Sequence, residues 1–169
     1  MSSKMPMPDH NSPEIAFVEH DHAGCAADVM ARAEALAARA GLRMTPVRRR
    51  VLEILLEAHH ALGAYDVLDR LAAEGHARQP PVAYRALEFL VANGLAHRVE
   101  RLNAFTACMH PDAPHSPVLL ICRDCNGVAE APAESVRAAI GATAAQAGFE
   151  IERTSVEAIG RCPACRERS

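Results

Sequence analysis

The chain has 169 residues, half of them hydrophobic, and a formal net charge of −3 at pH 7. This length suits two small globular domains, and no apolar run approaches the roughly 18 residues of a membrane-spanning helix. Residues 1–19 lack the continuous apolar segment of a secretory signal. We therefore expect a cytoplasmic protein with no membrane partner.

The negative charge argues against a strongly basic nucleic-acid binder, but it is unevenly distributed. Residues 41–101 contain nine Arg and seven Asp or Glu, a net of +2. A segment with so small a positive charge is weak electrostatic support for nucleic-acid binding. An interpretation as a DNA-binding protein must therefore depend on the pattern of elements and side chains.

The N-terminal segment, residues 1–24, carries scattered Pro, Ser and His and shows no hydrophobic period. This composition predicts a mobile tail. His20, His22 and Cys25 have the composition of a metal site, and whether they bind a metal or belong to a disordered tail stays open at this point.

Four helices and a hairpin are predicted after the tail. Thr45-Pro46 supplies an N-cap followed by proline at the first helical position, and Gly41, Gly75 and Gly94 end helical patterns. The helices are expected over Val29–Ala40, after Pro46, around Val67–Leu71 and over Val82–Ala92, and the strands over Leu95–Glu100 and Ala104–Ala107. Short helices followed by a hairpin also occur in other folds, but this is the order of a winged helix-turn-helix. We predict a DNA-binding domain over residues 25–108.

The last predicted helix would be the reader of DNA sequence. Tyr84 and Arg85 lie near its start, the end that usually enters the major groove. An arginine there can make a bidentate contact to guanine, and a tyrosine can contact phosphate or a thymine methyl group. Arg48 is expected to contact phosphate. The alternative is that these side chains line an ordinary solvated helix face.

A second domain is predicted over residues 118–169, after a proline-rich hinge at residues 109–117. Two short strands, Val118–Ile121 and Gly127–Ala131, are followed by a helix over Ala133–Ala147 and an extended run over Phe149–Ile159. An α/β unit of this size is marginal alone and usually depends on a metal, a partner subunit or both. The predicted fold class is α+β, a winged helix-turn-helix followed by a small α/β domain.

The strongest chemical signal is a pair of C-x-x-C motifs, formed by Cys122 with Cys125 and by Cys162 with Cys165. In a reducing compartment such motifs indicate zinc rather than disulfides. Two residues between thiolates let both sulfurs reach one tetrahedral ion, and two such pairs fill its coordination sphere. We predict a structural zinc site, against the alternative of redox-active or independently placed cysteines.

A second set of candidate ligands comprises His97, Cys108, His115 and Glu130. Two neutral imidazoles, one thiolate and one carboxylate around Zn²⁺ have no net formal charge, and the predicted wing, hinge and second domain each contribute. A metal held by all three parts would fix their relative orientation. Each residue also has an ordinary structural alternative, from a wing histidine to a solvated carboxylate, so joint metal binding is a hypothesis here.

These features together resemble the ferric uptake regulator superfamily, and within it the zinc uptake regulator branch. The resemblance extends from about Cys25 to Cys165. The residues that carry it are Arg43-Met44-Thr45-Pro46-Val47-Arg48, Ala64-Tyr65-Asp66, Pro80-Pro81-Val82-Ala83-Tyr84-Arg85-Ala86-Leu87, Gly94-Leu95-Ala96-His97, Cys108, His115, Ile121-Cys122-Arg123-Asp124-Cys125, Glu130 and Cys162-Pro163-Ala164-Cys165.

The resemblance implies a homodimeric repressor that binds double-stranded operator DNA. It implies a structural zinc at the two cysteine pairs and a regulatory zinc at His97, Cys108, His115 and Glu130, about two zinc ions per chain. Arg43, together with Arg48, Tyr84 and Arg85, would belong to the DNA-binding surface. The expected function is zinc-responsive repression of zinc uptake genes, with no small organic substrate and no catalytic residues.

Two departures and two alternatives accompany this expectation. The family commonly has Thr-Val-Tyr-Arg in the reading helix, where this chain has Val82-Ala83-Tyr84-Arg85, and His- and Cys-bearing residues lie near the N-terminus rather than in a C-terminal tail. An iron- or peroxide-responsive relative would carry a His-His-Asp-His run where this chain has Ser116-Pro117-Val118-Leu119-Leu120. A zinc enzyme would keep one coordination position for water, but each set here has a fourth candidate ligand.

Overall fold

The computed structural model of the protein describes residues 17, 22–58, 60–76, 78–112 and 116–168. Most of the predicted tail, including His20, therefore lies outside the described residues. The first helix begins at His22, within the segment that the sequence assigned to the tail. Among the described residues, no helix combines the length and the apolar character needed to cross a bilayer.

The first half contains four helices, as predicted: α1 His22–Arg39, α2 Pro46–Glu57, α3 Ala64–Ala73 and α4 Pro80–Ala92. The side chain of Thr45 caps α2 by accepting a hydrogen bond of 3.3 Å from the backbone N–H of Arg48, and Pro46 occupies the first helical position. Helix α3 is capped differently, because the carboxylate of Asp66 accepts a hydrogen bond of 3.0 Å from the N–H of Gly63.

The core of this half is centred on α2, which contacts α1, α3, α4 and the hairpin. Five apolar residues of α2 are buried: Val51, Leu52, Ile54, Leu55 and Leu56. A helix surrounded on several sides buries more than one narrow stripe. The residues 46–57 therefore pack more extensively than a single amphipathic face suggests.

The wing is an antiparallel hairpin of β1, Ala96–Val99, and β2, Ala104–Ala107. Residues Glu100–Leu102 form a single 3₁₀ turn between the strands, which the sequence had assigned to strand and loop. Asn103 follows with a φ of 47°, a conformation that asparagine tolerates better than most residues. Leu62 pairs with Phe105 through two backbone hydrogen bonds and adds a third chain segment to the wing.

The second half contains β3 Val118–Cys122, β4 Val128–Ala131, α5 Glu134–Gln146, β5 Val156–Gly160 and α6 Pro163–Glu167. Strand β3 is central in the order β4-β3-β5, antiparallel to β4 and parallel to β5. The predicted extended run from Phe149 is wrong over its first part, because β5 pairs only along the length of β3. Helix α6, which Pro163 opens directly after Cys162, was not predicted.

One face of the second sheet lies against the wing. Leu119 and Ile121 of β3 form a buried cluster with Val99 of β1, and Leu102 of the wing turn packs against it. The two halves are therefore in direct apolar contact. Three of the candidate metal ligands, His97, Cys108 and Glu130, are called the hinge cluster below, and Glu130 is opposite Leu119 at the edge of this contact.

Candidate metal centres and nucleic-acid interface

The four cysteines of the two C-x-x-C motifs converge on one point. The sulfurs of Cys122, Cys125, Cys162 and Cys165 all lie within 4.8 Å of one another, and those of Cys125 and Cys162 are 3.9 Å apart. Two sulfurs at about 2.3 Å from a tetrahedral zinc ion would lie about 3.8 Å from each other. The donor set and its spacing therefore fit a closed tetrahedral zinc site.

Backbone hydrogen bonds shape each cysteine pair into a turn. The N–H of Cys122 donates to the carbonyl of Gly127 at 2.9 Å, and the N–H of Asn126 donates to the carbonyl of Cys122 at 2.9 Å. The second turn is the start of α6, where Cys162 is the N-cap residue. The N–H of Cys162 also donates to the sulfur of Cys122 at 3.3 Å, which joins the two turns directly.

The electrostatics of the cluster explain why a cation belongs there. Burial acts to raise the pKa of Cys122, but hydrogen bonds from the backbone of Cys162, Cys125 and Asp124 outweigh it and lower the pKa to about 6. Hydrogen bonding with Cys162 and burial raise the pKa of Cys165 to about 12. Sulfurs this close cannot all ionise without a divalent ion, which would replace their protons.

The second predicted set is assembled as far as the described residues extend. His97 on β1, Cys108 directly after β2 and Glu130 on β4 offer ligand atoms that all lie within 4.8 Å of one another. Nε2 of His97 is 3.3 Å from Oε1 of Glu130, with side-chain exposures of 15% and 7%. Cys108 is fully buried. His115 lies outside the described residues, so its part in this set stays a prediction.

The spacing and surroundings of these three residues also fit zinc. Nitrogen and oxygen ligands at about 2.0 Å from a tetrahedral ion lie about 3.3 Å apart, the separation found between His97 and Glu130. Burial acts to lower the pKa of His97, but Cys108 and Glu130 outweigh it and raise the pKa to about 9. The pocket thus favours a positive charge at the imidazole, which a bound cation would supply in place of the proton.

The predicted reading residues lie on the exposed side of α4. Tyr84 is 40% exposed, and Nε of Arg85 donates to the carbonyl of Pro81 at 3.2 Å. That bond uses one of the five N–H donors of the guanidinium. Tyr65, which belongs to one of the family motifs but to which the sequence assigned no role, is 63% exposed. Its ring meets that of Tyr84 edge to face, at 6.5 Å between ring centroids.

Arg43 lies just before the start of α2, and Arg48 lies in the first turn of that helix. Arg43 is exposed before the first turn of that helix, whereas the guanidinium of Arg48 contacts other parts of the protein. Its Nη1 donates to the carbonyl of Arg43 at 2.6 Å, and its guanidinium carbon lies 3.6 Å from the centroid of the Phe89 ring. Arg48 therefore joins α2 to α4 through its guanidinium group.

Comparison with known proteins gives a consistent result. The family model described as the Ferric uptake regulator family matches residues 39–159. The Zinc uptake regulation protein of Escherichia coli strain K12 is 38% identical over 141 residues, which cover 83% of this chain and 82% of that protein. The family match thus includes α2 to α4, the wing and most of the second half, whereas almost all of α1 and the second cysteine pair lie outside it.

Solved structures extend the comparison to the fold. A zinc uptake regulator complexed with zinc and DNA superposes with a TM-score of 0.79 at 38% identity, covering 85% of this chain and 96% of that one. Holo XcZur superposes with a TM-score of 0.76 at 38% identity, covering 84% and 99% of the two chains. The fold class predicted from the sequence is confirmed.

A third solved structure superposes less well. Apo XcZur gives a TM-score of only 0.50 at 37% identity, covering 85% of this chain and 99% of that one. The identity is nearly the same as for holo XcZur, so the lower score reflects a difference in conformation rather than a more distant sequence. The structure of this chain is therefore more similar to holo XcZur than to apo XcZur.

Proposed function

Because the chain belongs to the ferric uptake regulator family, we propose that it is a zinc-responsive, DNA-binding repressor of zinc uptake genes. It is a regulator and not an enzyme. The structurally similar relatives include a zinc uptake regulator bound to zinc and DNA. No catalytic step is needed for this function, only a difference in zinc affinity between two arrangements of one molecule.

The observation that carries the proposal is the buried cluster of His97, Cys108 and Glu130. The wing supplies His97, the end of β2 supplies Cys108, and the second sheet supplies Glu130. Zinc bound there, with His115 as the proposed fourth ligand, would link the wing to the sheet. A thiolate, imidazoles and a carboxylate suit this borderline-soft ion, whereas calcium and magnesium prefer oxygen ligands alone.

Contacts within the chain add to the stability of this relative orientation of the wing and the sheet. The N–H of Met109 donates to Glu130 at 2.8 Å, which directs that carboxylate towards the cluster. Val99, Leu119 and Ile121 exclude water beside it. The arrangement in which the wing packs on the second sheet is called closed. To raise the closed fraction from about 1% to about 99% of the molecules, zinc must bind the closed arrangement roughly 10⁴-fold more tightly than the open one.

We propose two zinc ions per chain, one at the hinge and a structural one at Cys122, Cys125, Cys162 and Cys165. The second cluster has four sulfurs and no place for a water ligand, so it contributes folding free energy rather than a response. Its two turns lie at the beginning and end of the second half, and Arg161 of the second donates to Asp124 of the first at 2.6 Å.

The proposed domain boundaries follow this division: a tail at 1–24, a winged-helix domain at 25–108, a hinge at 109–117 and a dimerisation domain at 118–169. Support for a homodimer comes from surfaces that the single chain leaves uncovered. No residue of α5 is buried, and Phe149 and Ile159 are 67% and 53% exposed. A second copy of the chain would cover this apolar surface. The proposed location of the dimer is the cytoplasm.

The proposed DNA-binding surface includes Tyr84 and Arg85 as base-reading residues and Arg43 and Arg48 as phosphate-contacting residues. In the closed dimer, two copies of α4 would read two half-sites whose spacing is set by the dimer. Tyr65 extends the same exposed surface, because its ring contacts that of Tyr84.

The proposal is tested by DNA binding at controlled metal concentration. A duplex is first selected from a random library at saturating zinc, and its affinity for the purified protein is then measured against buffered free Zn²⁺. Buffered Fe²⁺ and Mn²⁺ are the controls. We expect affinity to rise with zinc at concentrations where the other two ions have no effect.

Two outcomes would contradict the proposal. A response to Fe²⁺ in place of Zn²⁺ would assign the chain to iron sensing, in line with a Shigella flexneri ferric uptake regulation protein that is 31% identical over 132 residues. If the affinity for the duplex does not change with any of the three metals, the hinge cluster is not a metal sensor.

A further inference from the structure

The second sheet presents a continuous row of three residues to the wing. Glu130 on β4 is opposite Leu119 on β3, and Leu119 is opposite Glu157 on β5. Residues that are opposite one another across a sheet lie on the same face. Since Glu130 and Leu119 both face the wing, Glu157 must face it too.

Glu157 binds the wing at the end opposite to the hinge cluster. Its two carboxylate oxygens accept hydrogen bonds from consecutive backbone N–H groups of the wing turn, at 2.6 Å from Glu100 and 3.0 Å from Arg101. These partners are separated from Glu157 by 57 and 56 residues. Nearby, Nη2 of Arg153 lies 3.6 Å from Oε1 of Glu100, but these two side chains are 82% and 48% exposed.

The chemistry of this contact favours strength and direction. A carboxylate that accepts two N–H bonds makes charge-assisted hydrogen bonds, which are shorter and roughly twice as strong as neutral ones. The two donors belong to the start of a 3₁₀ turn, whose first N–H groups have no partner within the turn. Glu157 therefore satisfies backbone groups that an open arrangement would leave to water.

We propose that Glu157 is a metal-independent latch that sets the free-zinc concentration at which the repressor closes. The inference rests on the proposed function for its effect, but the contact itself does not involve the hinge ligands. Glu130 holds the wing through the metal pocket, Glu157 holds it through the wing turn, and Leu119 packs between them. Closure thus depends on two separate polar contacts at the ends of one apolar contact.

The latch and the metal have different effects on DNA binding. When the open arrangement predominates without zinc, the zinc needed for half-maximal binding varies inversely with the closing equilibrium. Loss of the latch lowers that equilibrium, so more zinc is needed. At saturating zinc the closed arrangement is restored, and the maximal DNA affinity stays nearly the same.

The experiment uses the whole chain, with zinc in the four-cysteine site only, and the duplex selected above. Free Zn²⁺ is then raised with a metal buffer. For Glu157→Ala we expect the half-maximal free Zn²⁺ to rise about tenfold, and for Glu157→Gln, which keeps one good acceptor, about threefold. The maximal affinity should change less than about twofold. The control is Glu152→Ala, which removes the same charge from an exposed position shortly before β5.

Amide hydrogen exchange measures the contact without DNA. In the zinc-saturated protein, the amides of Glu100 and Arg101 should exchange at least about fivefold faster in Glu157→Ala than in the wild type. The amide of Asn103, which is bonded to Glu100 within the turn at 3.1 Å, is the internal reference and should change little.

The outcomes separate the latch from the function it rests on. One outcome is that the wild type responds to zinc, but the half-maximal free Zn²⁺ of both Glu157→Ala and Glu157→Gln lies within about twofold of the wild-type value. This outcome would refute the latch. If the wild type does not respond to zinc at all, the proposed function fails, and the exchange rates of Glu100 and Arg101 still decide whether Glu157 holds the wing. Equal shifts in Glu152→Ala would show a general charge effect and would overturn the proposal.

Discussion

The guanidinium carbon of Arg48 lies 3.6 Å from the centroid of the Phe89 ring. This contact places a cation of α2 on an aromatic ring of α4, the proposed reading helix. Because Arg48 also donates to the carbonyl of Arg43, one side chain connects the segment before α2, α2 itself and α4. The orientation of the reading helix therefore depends in part on a residue that the sequence assigned to phosphate contact.

Arg48→Ala tests this connection. The free energy of unfolding should fall by about 1 kcal/mol, the magnitude typical of a partly exposed cation–π contact, and binding should weaken similarly for all DNA sequences. Arg48→Lys is the matched variant, because it keeps the charge and loses the planar stacking. Denaturant unfolding and binding at several salt concentrations are the measurements. A different outcome would be unchanged stability in both variants and a weaker dependence of DNA affinity on salt concentration in Arg48→Ala alone. It would mean that Arg48 contacts phosphate and does not stabilise the packing of α2 on α4.

Arg85→Ala should relax DNA sequence preference. If Arg85 makes a bidentate contact to guanine, its loss weakens binding to the selected duplex by about 1–3 kcal/mol and leaves non-specific binding almost unchanged. Arg166→Ala, which removes an exposed arginine from α6, controls for charge. The measurement is the affinity for the selected duplex and for single-base variants. A variant that discriminates as well as the wild type would show that Arg85 does not read bases.

Cys108→Ser should abolish the zinc response without unfolding the protein. Cys108 is fully buried beside His97 and Glu130, and its sulfur is the softest donor in the proposed site. We expect the zinc of the four-cysteine site and the dimer to persist, while the ratio of DNA affinities at saturating and zero zinc falls to near one. Cys108→Ala is the matched variant, because it removes the sulfur without placing a hydroxyl in the buried position, and it should lose the zinc response as well. A normal zinc response in Cys108→Ser would contradict the hinge site.

Cys122→Ser should unfold the second half of the chain. The substitution removes one of four sulfurs from a closed site whose metal contributes folding free energy, so we expect loss of one zinc ion, loss of the dimer and a lower melting temperature. Zinc content, sedimentation and thermal unfolding measure these effects, and Cys108→Ser serves as the control for loss of a buried cysteine. A stable, dimeric Cys122→Ser protein would show that the cluster is not structural.

Arg50→Ala should destabilise the first half in a pH-dependent manner. Nε and Nη2 of Arg50 each donate to Glu74 at 2.6 Å, which connects α2 to the end of α3. The hydrogen bonds with Arg50 lower the pKa of Glu74, so their contribution is complete above the pKa of Glu74 in the unfolded chain and is lost as the pH falls through its folded-state pKa.

Arg50→Ala should lower the free energy of unfolding at pH 7, because it removes the charge-assisted hydrogen bonds to Glu74. Denaturant unfolding of wild type and variant should give a difference that shrinks as the pH falls below about 4. Arg49→Ala is the neighbouring control, since that side chain is 50% exposed and should contribute less. A difference that is independent of pH would mean that Glu74 is not the partner that matters.

Local signals were sufficient to predict most of the elements. Thr45 and Pro46 define the start of α2, and Pro80 opens α4, because caps and prolines act within a few residues of the chain. Strand β5 was predicted too long, since its extent is set by pairing with β3 rather than by its own sequence. Helix α6 was missed because five residues carry no apolar period.

The candidate sites were predictable to different degrees. The cysteine motifs fix local geometry by their spacing, and the structure brings all four sulfurs together. His97, Cys108 and Glu130 also converge, but spacing alone left that open, because their meeting depends on the docking of the wing on the sheet. The contact of Glu157 with the wing turn depends on the same docking and had no local signal at all.

The uncovered surface of α5 has a consequence for regulation. In the proposed homodimer a second molecule would cover this helix, no residue of which is buried within the chain, and association of two molecules follows mass action. Dilution would therefore separate the reading helices and would also weaken the framework that supports Glu130 and Glu157. The number of copies of the protein in the cell then becomes a second input to the switch, and a cell with few copies would need more free zinc to silence the same gene.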